Sequence, residues 1–312
     1  MRVIRHLHRV TATLPRVVLT LGNFDGMHLG HQAILRRAAA EAAALGGSAV
    51  ALTFHPHPIA VLAPDRAPAM LQSLRDRLAT MRTLGIDVAV VQRFTPAFAR
   101  YSPDEFVTDF LARRLDLRHV VVGYDVNFGK DRAGSVDTLR VLGASQGFTL
   151  DVVGPVHTAD GRVISSSNVR RALTEGNLAD VDSMLGRSTS LRGRVVAGDR
   201  RGRTIGFPTA NLHLGKRILL PPDGVYAVRV PRGGSLIEGV MNVGVRPTFS
   251  GVRRTIEVHL LDFDGDLYGE WLRVSLVERL RGEKRFDGVE ALRSQILADV
   301  EQARAVLAAR PG

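Results

Sequence analysis

The 312-residue chain contains no cysteine, which excludes disulfides, thiolate metal sites and cysteine nucleophiles. It has no apolar run of the roughly 20 residues that a membrane-spanning helix needs. Its opening residues, MRVIRHLHRV, carry charges where a signal peptide has an uninterrupted apolar core. These absences together predict a cytoplasmic protein with no membrane partner.

Lysine and aromatic residues are also scarce. Only three of the 42 basic residues are lysines, and aromatic residues make up 5% of the chain. The net charge is nevertheless +11, and the segment 187–217 holds eight Arg or Lys against one Asp. Such a segment suits either an RNA surface or a loop that handles phosphates. The low aromatic content argues against RNA, because no stacking pattern of the RNA-recognition type is present.

The first half of the chain alternates between strand-like and helix-like segments. Nearly continuous apolar strands that alternate with helices predict a parallel sheet covered on both faces, hence a doubly wound α/β domain. Ser102 and Glu105 form a capping-box pattern at one helix start. The predicted strands are 17–22, 48–54, 87–94, 119–126 and 148–156, and the predicted helices are 32–46, 75–84, 102–115 and 135–146.

The pattern changes after about residue 186. Short strand-like segments follow one another between Gly, Pro and Asp turns, and one helix near 288–309 closes the chain. This spacing predicts an antiparallel sheet or small closed barrel with a C-terminal helix. At roughly 150 residues per domain, two domains are expected, with a linker near 175–190.

Residues 19–32, LTLGNFDGMHLGHQ, join the first predicted strand to the first predicted helix. His28 and His31 lie three residues apart and therefore share one face of the first helical turn. At a helix N-terminus beyond a parallel strand, two imidazoles could stabilise a nucleotide's phosphates. A metal pair completed by His55 or His57 is equally compatible with the spacing.

Residues 164–170, ISSSNVR, offer three serine hydroxyls and Arg170 where another helix begins. Hydroxyl groups and a guanidinium at a helix start suit a pyrophosphate. A simple serine-capped helix explains this segment better when it is considered alone. Together with the first segment, however, it favours a nucleotide site.

These two segments carry a family resemblance. GNFDGMHLGH resembles the G-x-F-D-G-x-H-x-G-H signature of the HxGH nucleotidyltransferases. ISSSNVR resembles their I-S-S-T-x-I-R segment, with Ser167 and Val169 replacing Thr and Ile. TFHPHP (53–58) and GYDVNFGKDRAG (123–134) are similar to segments of the FMN adenylyltransferase branch, although Val126 stands where an aromatic is more usual.

The second half resembles riboflavin kinases. GRVVAGDRRGRTIGFPTANL (193–212) is similar to their nucleotide loop with its P-T-A-N core, and further matching segments follow in order. They are GVYAV (224–228), MNVGVRPTF (241–249), TIEVHLLDF (255–263), LYGE (267–270) and LRGEKRF (280–286). The whole chain therefore resembles the bacterial bifunctional riboflavin kinase/FMN adenylyltransferase family.

This resemblance implies a fold, two activities and their substrates. Residues 1–186 are expected to form a Rossmann-like FMN adenylyltransferase domain, and residues 187–312 an antiparallel β-barrel riboflavin kinase domain with a C-terminal helix. ATP would phosphorylate riboflavin to FMN, and a second ATP would adenylylate FMN to FAD, with Mg²⁺ as cofactor. The expected partners are small molecules, without nucleic acid, and a homo-oligomer is possible. Two alternatives are that only one activity is retained, and, less favoured, a basic RNA-binding protein on a nucleotidyltransferase-like scaffold.

The hydroxyl of Thr209 and the amide oxygen of Asn211 are hard ligands suited to Mg²⁺ on ATP. The resemblance makes Glu257 the general base of the kinase, although an exposed strand glutamate fits the alternation of TIEVHLL equally well. It makes His28, His31 and Arg170 the catalytic groups of adenylyl transfer. The implied ATP contacts are Gly22, Phe24, Asp25, His28, His31, Ser165, Ser166, Ser167, Gly198, Gly202, Arg203, Gly206, Pro208, Thr209 and Asn211. The implied flavin contacts are Phe54, Pro56, His57, Pro58, Asp125, Asn127, Arg281, Lys284 and Phe286, of which Phe286 could equally be a core residue.

Overall fold

A computed structural model describes residues 1–10, 14–198, 206–215, 217–248 and 251–310. The chain divides into two compact units, Met1–Ser166 and Ser167–Gly312. The division falls at the first residue of a helix, whereas the domain boundary predicted at residue 186 follows the next helix along the chain.

The N-terminal unit contains a six-stranded parallel sheet in the order β1-β4-β3-β2-β5-β6. The chain moves from β2 through β3 to β4 on one side, and then returns to place β5 on the other side of β2. The strand order therefore reverses between β2 and β5. The strands are β1 (Arg2–Arg5), β2 (Val17–Leu21), β3 (Ser48–His55), β4 (Val88–Arg93), β5 (Leu117–Gly123) and β6 (Thr149–Val153).

Helices cover both faces of this sheet, which confirms the predicted doubly wound class. Alternate residues of β2 point to opposite faces, so that Val18 packs with α1 and α3 while Leu19 packs against α5 and the helix after β4. All five residues of β2 are buried, as expected for a central parallel strand. The helices are α1 (Leu29–Ala44), α2 (Pro58–Leu62), α3 (Leu74–Thr83), α4 (Pro103–Glu105) and α5 (Val136–Gln146), with short 3-10 turns at Leu7–Arg9, Pro64–Arg66, Phe98–Arg100 and Lys130–Arg132.

The C-terminal unit contains a closed antiparallel barrel in the order β10-β11-β8-β7-β12-β9. β9 pairs with both β10 and β12, which closes the ring. Helices α6 and α7 precede the barrel, and α8 follows it and packs its Ala303 and Leu307 against Ala227 of β9. The elements are α6 (Ser166–Glu175), α7 (Leu178–Leu185), β7 (Ser190–Val196), β8 (Ala210–His213), β9 (Gly224–Arg232), β10 (Ser235–Thr248), β11 (Gly251–Leu260), β12 (Trp271–Arg281) and α8 (Val289–Ala309).

The sequence prediction did not include α2, and three further elements differ from it. β1 is not predicted, because its arginines leave little apolar pattern in a short edge strand. α7 lies within the predicted linker, where Asn177 caps a short helix whose Val181 and Met184 are buried. The predicted helix 102–115 begins with the expected capping box but continues as a π-helix over Phe106–Ala112.

No helix within the part of the chain that the structure describes combines the length and the apolar character that crossing a membrane requires.

The C-terminal helix is held to the barrel by ion pairs of unequal burial. Arg281 of β12 makes a bidentate pair with Asp299 of α8, at 2.8 and 2.7 Å, and the Asp299 side chain is only 4% exposed. Arg304 of α8 pairs with Asp262, whose side chain is 75% exposed. Removing one partner of a buried pair strands a charge in a poorly solvated position, whereas an exposed pair contributes little.

We therefore expect Asp299→Ala to lower the free energy of unfolding of the C-terminal unit by about 3 kcal/mol. Asp262→Ala should lower it by less than about 1 kcal/mol. Urea denaturation followed by the fluorescence of Trp271, the only tryptophan, measures both changes within this unit. Equal losses in the two variants would contradict the assignment to burial.

Candidate active sites

The first candidate site is the β2–α1 turn (residues 22–28), which lies where the strand order reverses. Ligands of open parallel sheets bind beyond the carboxyl ends of the strands at such a point. The turn contains Phe24 at φ 51°, Gly26 at φ 82° and Met27 at φ 46°, all in the left-handed region. Phe24 and Met27 are also fully buried. Left-handed conformations cost roughly 1–3 kcal/mol each for such residues and persist only where the surroundings enforce them.

Hydrogen bonds from other segments fix this turn. The Asp25 carboxylate accepts from the backbone N–H of Leu71 at 3.1 and 3.2 Å. The Ser166 hydroxyl donates to the carbonyl of Asp25 at 2.9 Å. The positive φ favours glycine at position 26, and a Cβ there would also displace Leu71, whose Cδ1 would lie 2.6 Å away.

His28 and His31 lie together at the N-terminus of α1. Their rings stack with centroids 3.6 Å apart, and the edge of Phe24 packs on His31. His28 is the N-cap residue, and its Nδ1 accepts from the backbone N–H of His31 at 3.4 Å. A neutral imidazole that accepts at Nδ1 carries its proton on Nε2. His28 can therefore present an N–H donor beside the positive end of a 16-residue helix, an arrangement that suits a phosphate.

The other residues predicted to act with this turn lie just after β2 and around the start of α6. Gly22 is the first residue after β2, Ser165 directly precedes α6, Ser166 begins it, and Ser167 and Arg170 lie in its first two turns.

The alternative of a metal site receives no support from His55 and His57. Among the residues that the structure describes, no three His, Cys, Asp or Glu side chains gather to hold a metal. His57 instead caps α2, with Nδ1 accepting from the N–H of Ile59 at 3.3 Å. Burial lowers the pKa of the His55 imidazole, and the nearby charges of Arg77 and Arg5 lower that pKa further.

The predicted flavin residues of the N-terminal unit follow the carboxyl ends of β3 and β5. Phe54 is half-buried on β3, Pro56 and Pro58 come directly afterwards, and Asn127 donates to the carbonyl of Asp125 at 2.8 Å. Phe54 belongs to a chain of edge-to-face and tilted aromatic contacts that the sequence prediction missed. The other members are Phe94, Phe98, Tyr101, Phe106, Phe110 and Phe128. The sequence signal that could have revealed this chain of contacts is the density of aromatic residues in FTPAFARYSPDEFVTDF (94–110).

The second candidate site lies on the barrel, where β8 pairs with β11. Asn211 and Glu257 are direct register partners, and the Thr209 hydroxyl donates to Glu257 Oε2 at 3.2 Å. A side chain at Gly198 would come within 2.2 Å of the Asn211 amide, so this close approach requires glycine. A hydroxyl, an amide and a carboxylate thus converge on strands held by backbone pairing.

His259 supports the turn that precedes β8. It lies two residues after Glu257 on the same face of β11, and its Nδ1 donates to the carbonyl of Pro208 at 2.8 Å. The ring of Phe207 packs edge-on against His259. These contacts hold Phe207 and Pro208, the two residues before Thr209. The described part of this segment begins at Gly206. Gly202 and Arg203, also predicted to bind ATP, lie outside the described residues.

The predicted flavin residues of the barrel lie at the end of β12 and in the loop beyond it. Arg281 is engaged by Asp299, and its Cζ is 5.8 Å from the centroid of the half-buried Phe286 ring. Lys284 is exposed in the same loop. Glu283 fastens this loop to β10 by accepting from the N–H of Val245 at 3.3 Å.

Comparison with protein families matches both units. A family model described as FAD synthetase matches residues 10–168, and one described as riboflavin kinase matches residues 185–307. The relatives named bifunctional riboflavin kinase/FMN adenylyltransferase from Escherichia coli K12 and Pseudomonas fluorescens are each 41% identical to this chain. The alignments cover 97% of both chains for the first, and 99% of this chain and 98% of the relative for the second.

One solved structure is similar over nearly the whole chain. It is described as a macrolide-efflux protein from Streptococcus pneumoniae and is 32% identical, with a TM-score of 0.86. The similarity covers 97% of this chain and 99% of that one.

The capping contact of His28 makes a testable prediction. We expect the neutral ring to be protonated on Nε2, because Nδ1 accepts from the N–H of His31. The ¹⁵N shifts of the imidazole nitrogens at alkaline pH distinguish the two tautomers, and His28→Gln assigns the signals. A neutral ring protonated on Nδ1 would contradict the capping geometry.

Proposed function

The chain belongs to the family of bifunctional riboflavin kinases/FMN adenylyltransferases, and on this premise we propose that it makes FAD from riboflavin in two reactions. The first transfers the γ-phosphoryl group of ATP to riboflavin and gives FMN and ADP. The second transfers AMP from another ATP to FMN and gives FAD and pyrophosphate. The observation that carries the proposal is the match of both family models, in order, within one chain.

The barrel site is the proposed site of phosphorylation. The Glu257 carboxylate accepts the proton of the riboflavin 5′-hydroxyl as its oxygen attacks the γ-phosphorus, and ADP leaves. The pairing of β11 with β8 supports this role, because it places Glu257 opposite Asn211 and within 3.2 Å of Thr209. An isolated exposed glutamate would not explain that convergence.

The same residues fit a magnesium ion carried by ATP. Mg²⁺ prefers hard oxygen ligands and retains several waters. The Thr209 hydroxyl donates its proton to Glu257, which leaves its oxygen lone pairs available, and the Asn211 amide oxygen is a second hard donor. When bound, Mg²⁺ would neutralise phosphate charge. Thr209 and Asn211 are the residues that would hold it.

The β2–α1 turn is the proposed site of adenylyl transfer. A phosphate oxygen of FMN attacks the α-phosphorus of ATP and pyrophosphate leaves, so no hydroxyl proton has to be removed. His28, His31 and the N-terminus of α1 stabilise the negative charge and orient the phosphates. Ser165, Ser166, Ser167 and Arg170 are included in the proposal on the family resemblance. Of these, Ser166 donates its hydroxyl to the carbonyl of Asp25.

The aromatic chain supports a flavin-binding role beside the β2–α1 turn. An isoalloxazine ring is flat and mostly apolar, and offset or edge-on aromatic contacts suit such a ring. Phe54 is a member of this chain and lies two residues before Pro56 and four before Pro58 in the sequence. A cytoplasmic location, the absence of nucleic-acid partners and a possible homo-oligomer remain predictions from the sequence.

One pair of variants separates the two reactions. Glu257→Gln should lower FMN formation from riboflavin by at least about 100-fold, because the proton acceptor is lost. It should leave FAD formation from added FMN unchanged. His28→Ala should do the reverse and lower FAD formation by roughly 100-fold or more. Chromatography of the flavins, starting from riboflavin or from FMN with ATP and Mg²⁺, measures both.

Glu290→Gln on α8 and His8→Ala are matched controls, since both positions are exposed. Both controls should retain the two activities. FMN without FAD from the unmodified protein would reject adenylyl transfer, and unchanged riboflavin would reject phosphorylation. Full kinase activity in Glu257→Gln would reject the general-base assignment.

The proposed magnesium ligands give a second test. Thr209→Val should raise the Mg²⁺ concentration needed for half-maximal FMN formation by about tenfold, because one hard ligand is lost. The Mg²⁺ dependence of FAD formation from FMN should not change in the same preparation. A lower kinase rate at an unchanged Mg²⁺ half-saturation would show that Thr209 is not a ligand.

A further inference from the structure

Arg77 is a buried cation to which neither proposed reaction assigns a role. It lies in the first turn of α3 and is only 2% exposed. Its Nη1 donates to the carbonyl of Asn23, and also to the Thr53 hydroxyl at 3.2 Å. Burial lowers the pKa of its guanidinium, and the carboxylate of Asp25 partly offsets that effect.

The acceptor of this hydrogen bond belongs to the β2–α1 turn. The Asn23 carbonyl receives Arg77 Nη1 and also the hydroxyl of Thr53, at 3.3 Å. Asn23 immediately precedes Phe24, where the left-handed backbone of the turn begins. Two donors on one carbonyl therefore fix the orientation of the peptide at which the chain enters the strained segment.

Arg77 lies on a capped helix and contacts a buried strand. Ser73 caps α3 by accepting from the N–H of Asp76 at 3.1 Å, which fixes the first turn of the helix. Thr53 is fully buried near the carboxyl end of β3. The guanidinium thus connects a capped helix and a buried strand to the turn.

The stability of the fold does not by itself explain why a charged residue occupies position 77. Burying a charge is costly, and well-packed apolar side chains often replace buried ions with no loss of stability. A charged donor on a carbonyl does, however, make a stronger and more directional hydrogen bond than a neutral one.

We infer that Arg77 is a positioning residue for adenylyl transfer: it holds the Asn23 carbonyl and so fixes the turn that presents His28 to the phosphates of ATP. Arg77 acts through the backbone and does not touch the substrate. The inference rests on the proposed role of His28, and it adds a residue outside every motif of the family resemblance.

The test compares kcat for FAD formation from FMN in full-length variants at temperatures well below their unfolding. Arg77→Met should lower kcat by about 100-fold, the scale expected for a misplaced catalytic segment. Arg77→Lys should retain activity within about tenfold of the unmodified protein, because one nitrogen makes both hydrogen bonds and an ammonium can replace it. Arg82→Met, an exposed position on the same helix, is the matched control and should not change kcat.

A double-mutant cycle with His28 separates positioning from general support of the fold. If Arg77 acts by placing His28, Arg77→Met should lower kcat by no more than about twofold when His28 is already alanine. A purely structural role would lower activity by the same factor with either residue at position 28. The kinase rate of each preparation measures the concentration of intact protein.

The outcomes distinguish the inference from the function on which it rests. No FAD from FMN in the unmodified protein, or full activity in His28→Ala, would reject the proposed adenylyl-transfer site. Loss of activity in His28→Ala with normal kcat in Arg77→Met would reject only the inference. Equal factors in the two backgrounds, or no recovery with Arg77→Lys, would also overturn it.

Discussion

The β2–α1 turn must adopt a left-handed backbone at Phe24, Gly26 and Met27 to bring His28 to the first turn of α1. Such a conformation is unstable by itself, so the remainder of the unit has to impose it. The N–H of Leu71 donates to the carboxylate of Asp25, and the hydroxyl of Ser166 donates to the carbonyl of Asp25. Arg77 and Thr53 both donate to the carbonyl of Asn23. These partners come from segments more than 25 residues away in sequence, which makes the proposed phosphate site a property of the folded unit.

In the barrel, regular strand pairing, rather than a strained backbone, positions the side chains of the candidate site. Antiparallel register places Asn211 of β8 opposite Glu257 of β11, and alternation places His259 on the same face as Glu257. His259 then holds the Pro208 carbonyl, one residue before Thr209. A shift of one residue in the register of β11 would turn Glu257 to the opposite face of the sheet. The pairing that closes the barrel therefore also keeps Glu257 on the face of the candidate site.

The sequence predicted the parts of this molecule that depend on local pattern. Buried parallel strands, capped helices and the motif residues carry strong local signals, and both the fold class and the family resemblance are confirmed. Arg77 was missed because its partner lies 54 residues away in sequence and no local rule connects a helix arginine to a strand-end carbonyl. The π-helix was missed for a related reason. Phe106 and Leu111 are both buried and five residues apart, a spacing that tertiary packing selects and helical propensity does not encode.

The contrast between the two candidate sites follows from the nucleophiles of the proposed reactions. A riboflavin hydroxyl is neutral and must lose a proton as it attacks, so a carboxylate beside that hydroxyl is useful there. An FMN phosphate is already anionic and needs no base, and a carboxylate aimed at it would repel it. In the β2–α1 turn the Asp25 carboxylate instead accepts from the N–H of Leu71, and the N-terminus of α1 carries the imidazole of its N-cap residue, His28. The carboxylate of Glu257 thus serves a proposed nucleophile that is neutral, whereas the carboxylate of Asp25 is engaged by a backbone N–H in the site proposed for an anionic nucleophile.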